Sequence, residues 1–136
     1  MKKDLETIKS RGKILAIIIR KNFGKKGINF ISEPENPFQI GILNHRSGYV
    51  VKSHIHNKIT KKNNLNQEFL FIILGEVEAK FYDNKKLVKT TIIKGGDALL
   101  QIEGGHGFRI LRPSKIIELK QGPFYGIEKE KTYIEI

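Results

Sequence analysis

A chain of 136 residues with no cysteine and a formal net charge of +11 has room for one domain with a real core. It excludes disulfides, zinc ribbons, iron–sulfur clusters and cysteine nucleophiles, and the lack of thiols points to a cytoplasmic setting. The positive balance raises the question of nucleic acid, but the lysine pairs at positions 2, 25, 61 and 85 are dispersed among turn residues and arginine is scarce. Specific nucleic-acid binding is therefore not expected.

The chain opens with DLETIK, read as a short amino-terminal helical turn. The beginning MKKDLETIKSRGK is polar where a secretory signal needs its apolar segment, and the following ILAIII is too short for a signal or a membrane span. No targeting segment and no membrane partner are expected. Strands are predicted near 13–20, 28–32, 38–44 and 49–56, then near 68–74, 76–82, 87–93, 98–102, 107–111 and 115–121. Between them stand NFGKKG, EPENP, HRSG, YDNKK, KGGD, EGGHG and RPSK, each with glycine, proline, asparagine or aspartate. Many short strands with regular turns and no sustained helical period predict an all-β barrel or sandwich, with 1–136 as one domain.

Three of the four histidines carry the chemistry. His54 and His56 stand two apart in YVVKSHIH, so an extended backbone presents both imidazoles on one face. Glu68 opens the apolar run EFLFIIL and can bring an oxygen ligand from a neighbouring strand; His106 follows a glycine turn in EGGHGFRIL. Three imidazoles and a carboxylate suit a divalent transition metal such as iron, manganese, nickel, cobalt or zinc better than calcium or magnesium. The fourth histidine, His45 in NHRSG, fits no ligand spacing and reads as a loop residue.

These residues resemble the first motif of the cupins, Gly-x5-His-x-His followed by Glu-x6-Gly. Gly48, His54, His56, Glu68 and Gly75 fall on it, with a longer polar gap, NKITKKNNLNQ, before the glutamate. The second cupin motif, Gly-x5-Pro-x-Gly-x2-His-x3-Asn, is matched less fully: anchored on His106 it fits at Gly95, with Gln101, Glu103 and Ile110 at its proline, second glycine and asparagine positions, and anchored on Gly96 and Gly104 it has Ile102 at the proline position and His106 one residue early. The resemblance covers residues 38–122 and implies a double-stranded β-helix, the jelly-roll barrel, with His54, His56, Glu68 and His106 as metal ligands.

Alternation predicts what lines such a site. Lys52 shares the face of His54, Leu70 and Ile72 that of Glu68, and Phe108 that of His106. The opposite face of the Glu68 strand, with Phe69, Phe71 and Ile73, is also apolar and needs cover from the amino-terminal strands or a second subunit. A homodimer is the favoured expectation, as in many cupins. Arg109 should point away from the site, and Phe124 and Tyr125 are expected to pack in a core or an interface.

Two function classes stay open. One is a metal-dependent enzyme, with oxygenase, isomerase and epimerase chemistry all represented in similar cupins, acting on a small anionic or sugar-derived metabolite. Related sugar-nucleotide epimerases and isomerases use a histidine base without metal, a role that would fall to His54 or His56. The other is a non-catalytic barrel that binds a small molecule or metal.

Overall fold

The computed structural model describes residues 4–24 and 26–135. The described residues are all-β apart from one short helix, with strands β1 Leu5–Ser10, β2 Lys13–Ile19, β3 Gly27–Phe30, β4 Gly41–Asn44, β5 Glu68–Asp83, β6 Lys86–Lys94, β7 Ala98–Gln101 and β8 Gly105–Lys120, and helix α1 Ile127–Glu130. It divides into two compact units, one formed by residues 1–23 and 66–136 and the other by Gly24–Leu65.

The first unit is a curled antiparallel sheet, a half-barrel, in the order β1-β2-β7-β5-β6, with β8 paired to β5. Its first strand corrects the expected helical turn. Ser10 pairs with Lys13 across the two-residue loop Arg11–Gly12, whose φ angles are 50° and 76°. Both loop residues are left-handed, the geometry of a primed hairpin turn. Once β2 offers a ladder, the helix preference of six residues has too few hydrogen bonds to compete.

Two carboxylates tie distant strands to this hairpin. Asp83, at the end of β5, accepts from Ser10 Oγ at 2.6 Å and from Arg11 Nε and Nη2 at 2.7 and 2.9 Å. The guanidinium and then the hydroxyl hold its carboxyl well below the usual range. Asp97 accepts from the buried Arg20 at 3.0 Å and from the Lys21 and Lys94 amides, both at 2.9 Å.

β5 and β8 each replace two predicted strands. β5 runs through Gly75, and β8 runs through the RPSK segment read as a turn. The pairing shifts register at Ile72/Leu74, Leu74/Glu76 and Glu76/Val77, so the ladder bends without breaking. Gly75 has φ 108°, and a Cβ there would lie 2.6 Å from Ser114 Cα. Only glycine lets the two backbones cross so closely. The bulge also changes which residues face inward: Leu70 and Ile72 are buried before it, Val77, Ala79 and Phe81 after it. Together with Ile8, Leu15, Ala16, Ile18, Ile93 and Leu99 they make the core of this unit.

The second unit contains the antiparallel pair β3–β4, joined from Phe30 to Gly41 by a loop in which Gln39 Nε2 donates to the carbonyls of Glu33 and Asn36. The strand predicted over 49–56 is not formed. Residues 49–67 carry no regular structure, and 49–64 are exposed, so the alternation expected there has no sheet to act on.

Candidate functional site

The curl of the first unit gives a site from one end of each long strand. Glu68 starts β5, and its side chain shares the inward face of Leu70 and Ile72. His106 lies opposite Phe81, near the other end of β5, and therefore also faces inward. In a flat sheet those positions would be thirteen residues apart along one strand. Here His106 Nε2 stands 3.7 Å from Glu68 Oε2. Two sequence-predicted ligands from distant segments are thus brought together.

The floor beneath them is apolar. Leu70 and Ile72 are buried, and Phe108 stacks against the His106 ring at 4.9 Å between centroids while packing on the core. Gln67, fully buried, donates its amide to Gln121 Oε1 at 2.7 Å and so pins the start of β5 to the end of β8.

Burial sets the charge state. It pushes the Glu68 carboxyl up to about 7, helped by a hydrogen bond and like charge from Glu118 and opposed by Lys120 and Lys131. Burial also lowers the His106 imidazole, as does the Lys131 charge, against the pull of Glu118. The 3.7 Å separation is within reach of an ion pair, but both shifts run against one. Near neutral pH the contact joins a neutral imidazole and a carboxyl that is only partly ionised, so it is a meeting of polar donors rather than a salt bridge. His106 Nδ1 is buried without a hydrogen-bond partner. Such an atom is costly unless it finds a proton donor, an acceptor or a metal.

His54 and His56 lie in the second unit, side by side, with ring centroids 4.8 Å apart and planes at 61°. Both are exposed, and His54 Nδ1 lies 2.8 Å from the Lys52 carbonyl oxygen. Lys52, placed in the pocket by alternation, is exposed as well. His45 stacks on Tyr49 at 3.8 Å and 4°. Among the described residues, no group of three or more histidine, aspartate or glutamate side chains is placed to hold one metal ion. The first unit by itself supplies one oxygen and one nitrogen donor, which suit a borderline divalent metal but fill only half of the expected shell.

Three residues near the site were not singled out from the sequence: Glu118, Lys120 and Lys131. Lys120 pairs with Glu68 and Glu118 with Leu70, so both stand on the inward-facing rows of β8. Alternation carried from His106 to position 120 reaches them at even numbers, but the proline in RPSK argued for a turn and cut the count short. For Lys131, in the segment after α1, no sequence signal was available. Comparison with protein-family models, with curated proteins and with solved structures gives no match.

Proposed function

We propose that this chain is a cupin-like barrel that binds a divalent transition metal and acts on, or holds, a small anionic or sugar-derived ligand at the Glu68–His106 centre. The observation that carries the reading is the 3.7 Å approach of His106 Nε2 to Glu68 Oε2, two of the four residues the cupin pattern selects. His54 and His56 enter the proposal through the spacing of the first motif, and the double-stranded β-helix through the same resemblance. The apolar floor of Leu70, Ile72 and Phe108 supports a site that excludes water.

A bound divalent metal would act as a Lewis acid toward a ligand oxygen. The chain's own residues do the rest. Glu68, protonated at neutral pH in part, must release that proton to ligate, and the neutral His106 presents its lone pair at no such cost. Metal uptake is therefore expected to release protons near pH 6, visible as a buffer-dependent heat in titration calorimetry with cobalt(II). His54→Ala, His56→Ala, Glu68→Ala and His106→Ala should each lower cobalt(II) occupancy strongly, and His45→Ala should leave it unchanged. A wild-type protein that takes up no stoichiometric metal would sink the ligand assignment.

The same contact favours one second reading, metal-free proton transfer. A neutral imidazole beside a carboxyl is the arrangement of a base and the group that orients it. In that case His106, rather than His54 or His56, is the base, and activity toward a sugar nucleotide would survive chelation but not His106→Gln.

A homodimer also belongs to the proposal. β8 pairs only with β5, so its far edge has no strand partner among the described residues, and Ile117 and Leu119 are 53% and 59% exposed on it.

A further inference from the structure

Gln101 ends β7 and stands directly opposite Glu68 in the β5–β7 ladder, with Ala16 of the core on its other side. It therefore shares the inward face on which Glu68 lies. Residues 102–105 then carry the chain to His106, the second residue of β8. The three side chains form a closed set: Gln101 faces Glu68 across the ladder, Glu68 meets His106 at 3.7 Å, and Gln101 and His106 flank one turn.

Gln101 is 4% exposed. Its Nε2 donates to the Glu103 carbonyl at 2.7 Å, whereas Oε1 is buried with no hydrogen-bond partner among the described residues. Turning the amide over would set Oε1 against the Glu103 carbonyl, oxygen to oxygen, so that bond fixes which way the side-chain carbonyl faces. A buried acceptor without a partner is costly and uncommon in folded proteins. Among the described residues two other buried side-chain atoms share the condition, and one of them is His106 Nδ1. Both flanks of one turn thus carry an unsatisfied polar atom, on the two residues that adjoin Glu68.

We propose that Gln101 Oε1 is a further oxygen donor to the divalent metal held by Glu68 and His106. The inference rests on the metal reading given above, and it names a ligand that lies outside the ligand set of the cupin pattern. Glutamine and glutamate side chains have equal length, and the Cβ atoms of directly opposed residues lie about 4.5–5.5 Å apart. Both side chains can therefore reach one ion at the usual metal–oxygen distance of about 2.0–2.2 Å. The amide carbonyl is a hard oxygen donor. Being neutral, it does not repel the Glu68 carboxylate as a second acidic side chain would. The Glu103 carbonyl holds it in place before any ion arrives, so little side-chain freedom is left to lose on binding.

The plain alternative is that Oε1 accepts from an internal water and takes no part in binding. The two roles separate when the full chain, as wild type, Gln101→Leu and Gln101→Glu, is titrated with cobalt(II), following heat and the visible absorption of the bound ion. Gln101→Leu is expected to lower cobalt(II) affinity about tenfold or more, at least what loss of a residue that only orients a ligand costs, and to shift the cobalt(II) bands, because a donor has left the ion. Gln101→Glu keeps an oxygen at the same reach and should bind cobalt(II) at least as tightly as wild type. Thermal unfolding of the metal-free proteins reports on folding, and should Gln101→Leu fail to fold, Gln101→Glu decides alone: altered bands with tighter binding support the inference, and wild-type affinity and bands overturn it. Wild-type affinity and bands in folded Gln101→Leu leave Oε1 to water and overturn the inference while the Glu68–His106 metal reading stands. Weaker binding with unchanged bands overturns it as well, since Gln101 would then only orient Glu68. No stoichiometric cobalt(II) in wild type overturns the metal reading and this inference with it.

Discussion

Glu68 is where burial and chemistry pull in opposite directions. A carboxyl among Leu70, Glu118 and a buried imidazole is held toward its protonated form, whereas the proposed role as a metal ligand would require it ionised. In metal-free protein this gives a pH signature. Below its ordinary value of 4.5 the carboxyl is protonated in both folded and unfolded chains. Between there and about 7 only the unfolded chain ionises freely, so stability falls as pH rises through that window and levels off above it. Glu68→Gln should therefore flatten the fall in melting temperature between pH 4.5 and 7. His106, lowered by burial, contributes the opposite trend, a loss as pH drops below 6.5, and this should persist in the variant. Identical profiles for wild type and Glu68→Gln between pH 4.5 and 7 would show that Glu68 is solvated like a surface carboxylate. The identities of Glu68 and His106 could be read from residue type and spacing. Their charge state could not, because it comes from desolvation by residues of other strands.

Strand existence was read well where apolar residues are dense, as in KILAIII and EFLFIIL, and poorly where the chain bends. Alternation assumes a constant period of two, and the β5–β8 bulge breaks it: inward positions pass from Leu70 and Ile72 to Val77, Ala79 and Phe81. Gly75 and Ser114 mark the crossing, but a glycine and a Pro-Ser pair signal a turn just as well, so one bent ladder was read as four short strands. The amino-terminal strand was missed for a similar reason, since its fate depends on the partner across Arg11–Gly12. The buried charges are a further device that sequence alone does not display. Arg20, 6% exposed, binds Glu6 at 2.9 Å, Asp97 at 3.0 Å and the Ile92 carbonyl at 2.7 Å, joining β1, β6 and the β6–β7 turn. Arg20→Met keeps much of the volume but strands Asp97 and Glu6, and should cost about 3–5 kcal/mol in denaturant unfolding. A loss below about 1 kcal/mol would mean that water replaces the guanidinium. On the edge of β8 that has no strand partner among the described residues, Ile117→Lys combined with Leu119→Lys should convert the proposed dimer to a monomer in sedimentation equilibrium, since charge on an edge strand opposes pairing with a second copy. An unchanged mass would place any dimer contact elsewhere.

For the molecule as a whole, the site and the charge answer to different physics. Cupin-like spacing reaches across the chain from Gly48 to His106, and the structure joins the Glu68 and His106 part of it within one curled sheet. No helix among the described residues is long and apolar enough to cross a membrane. The net charge of +11 is carried mainly by lysines distributed over exposed loops and strand ends, including Lys52, Lys58, Lys61 and Lys62. Dispersed lysine gives a long-range attraction without the bidentate contacts that read bases. Binding to duplex DNA or to RNA should therefore be weak, indifferent to sequence and lost as salt approaches about 200 mM, because its free energy comes from counterion release. Fluorescence anisotropy with two unrelated duplexes across a salt series checks this. A slope of log affinity against log salt that is steep and identical for both duplexes fits a nonspecific field. Sequence-selective binding that survives about 200 mM salt would instead require a built nucleic-acid interface and would displace the small-ligand reading.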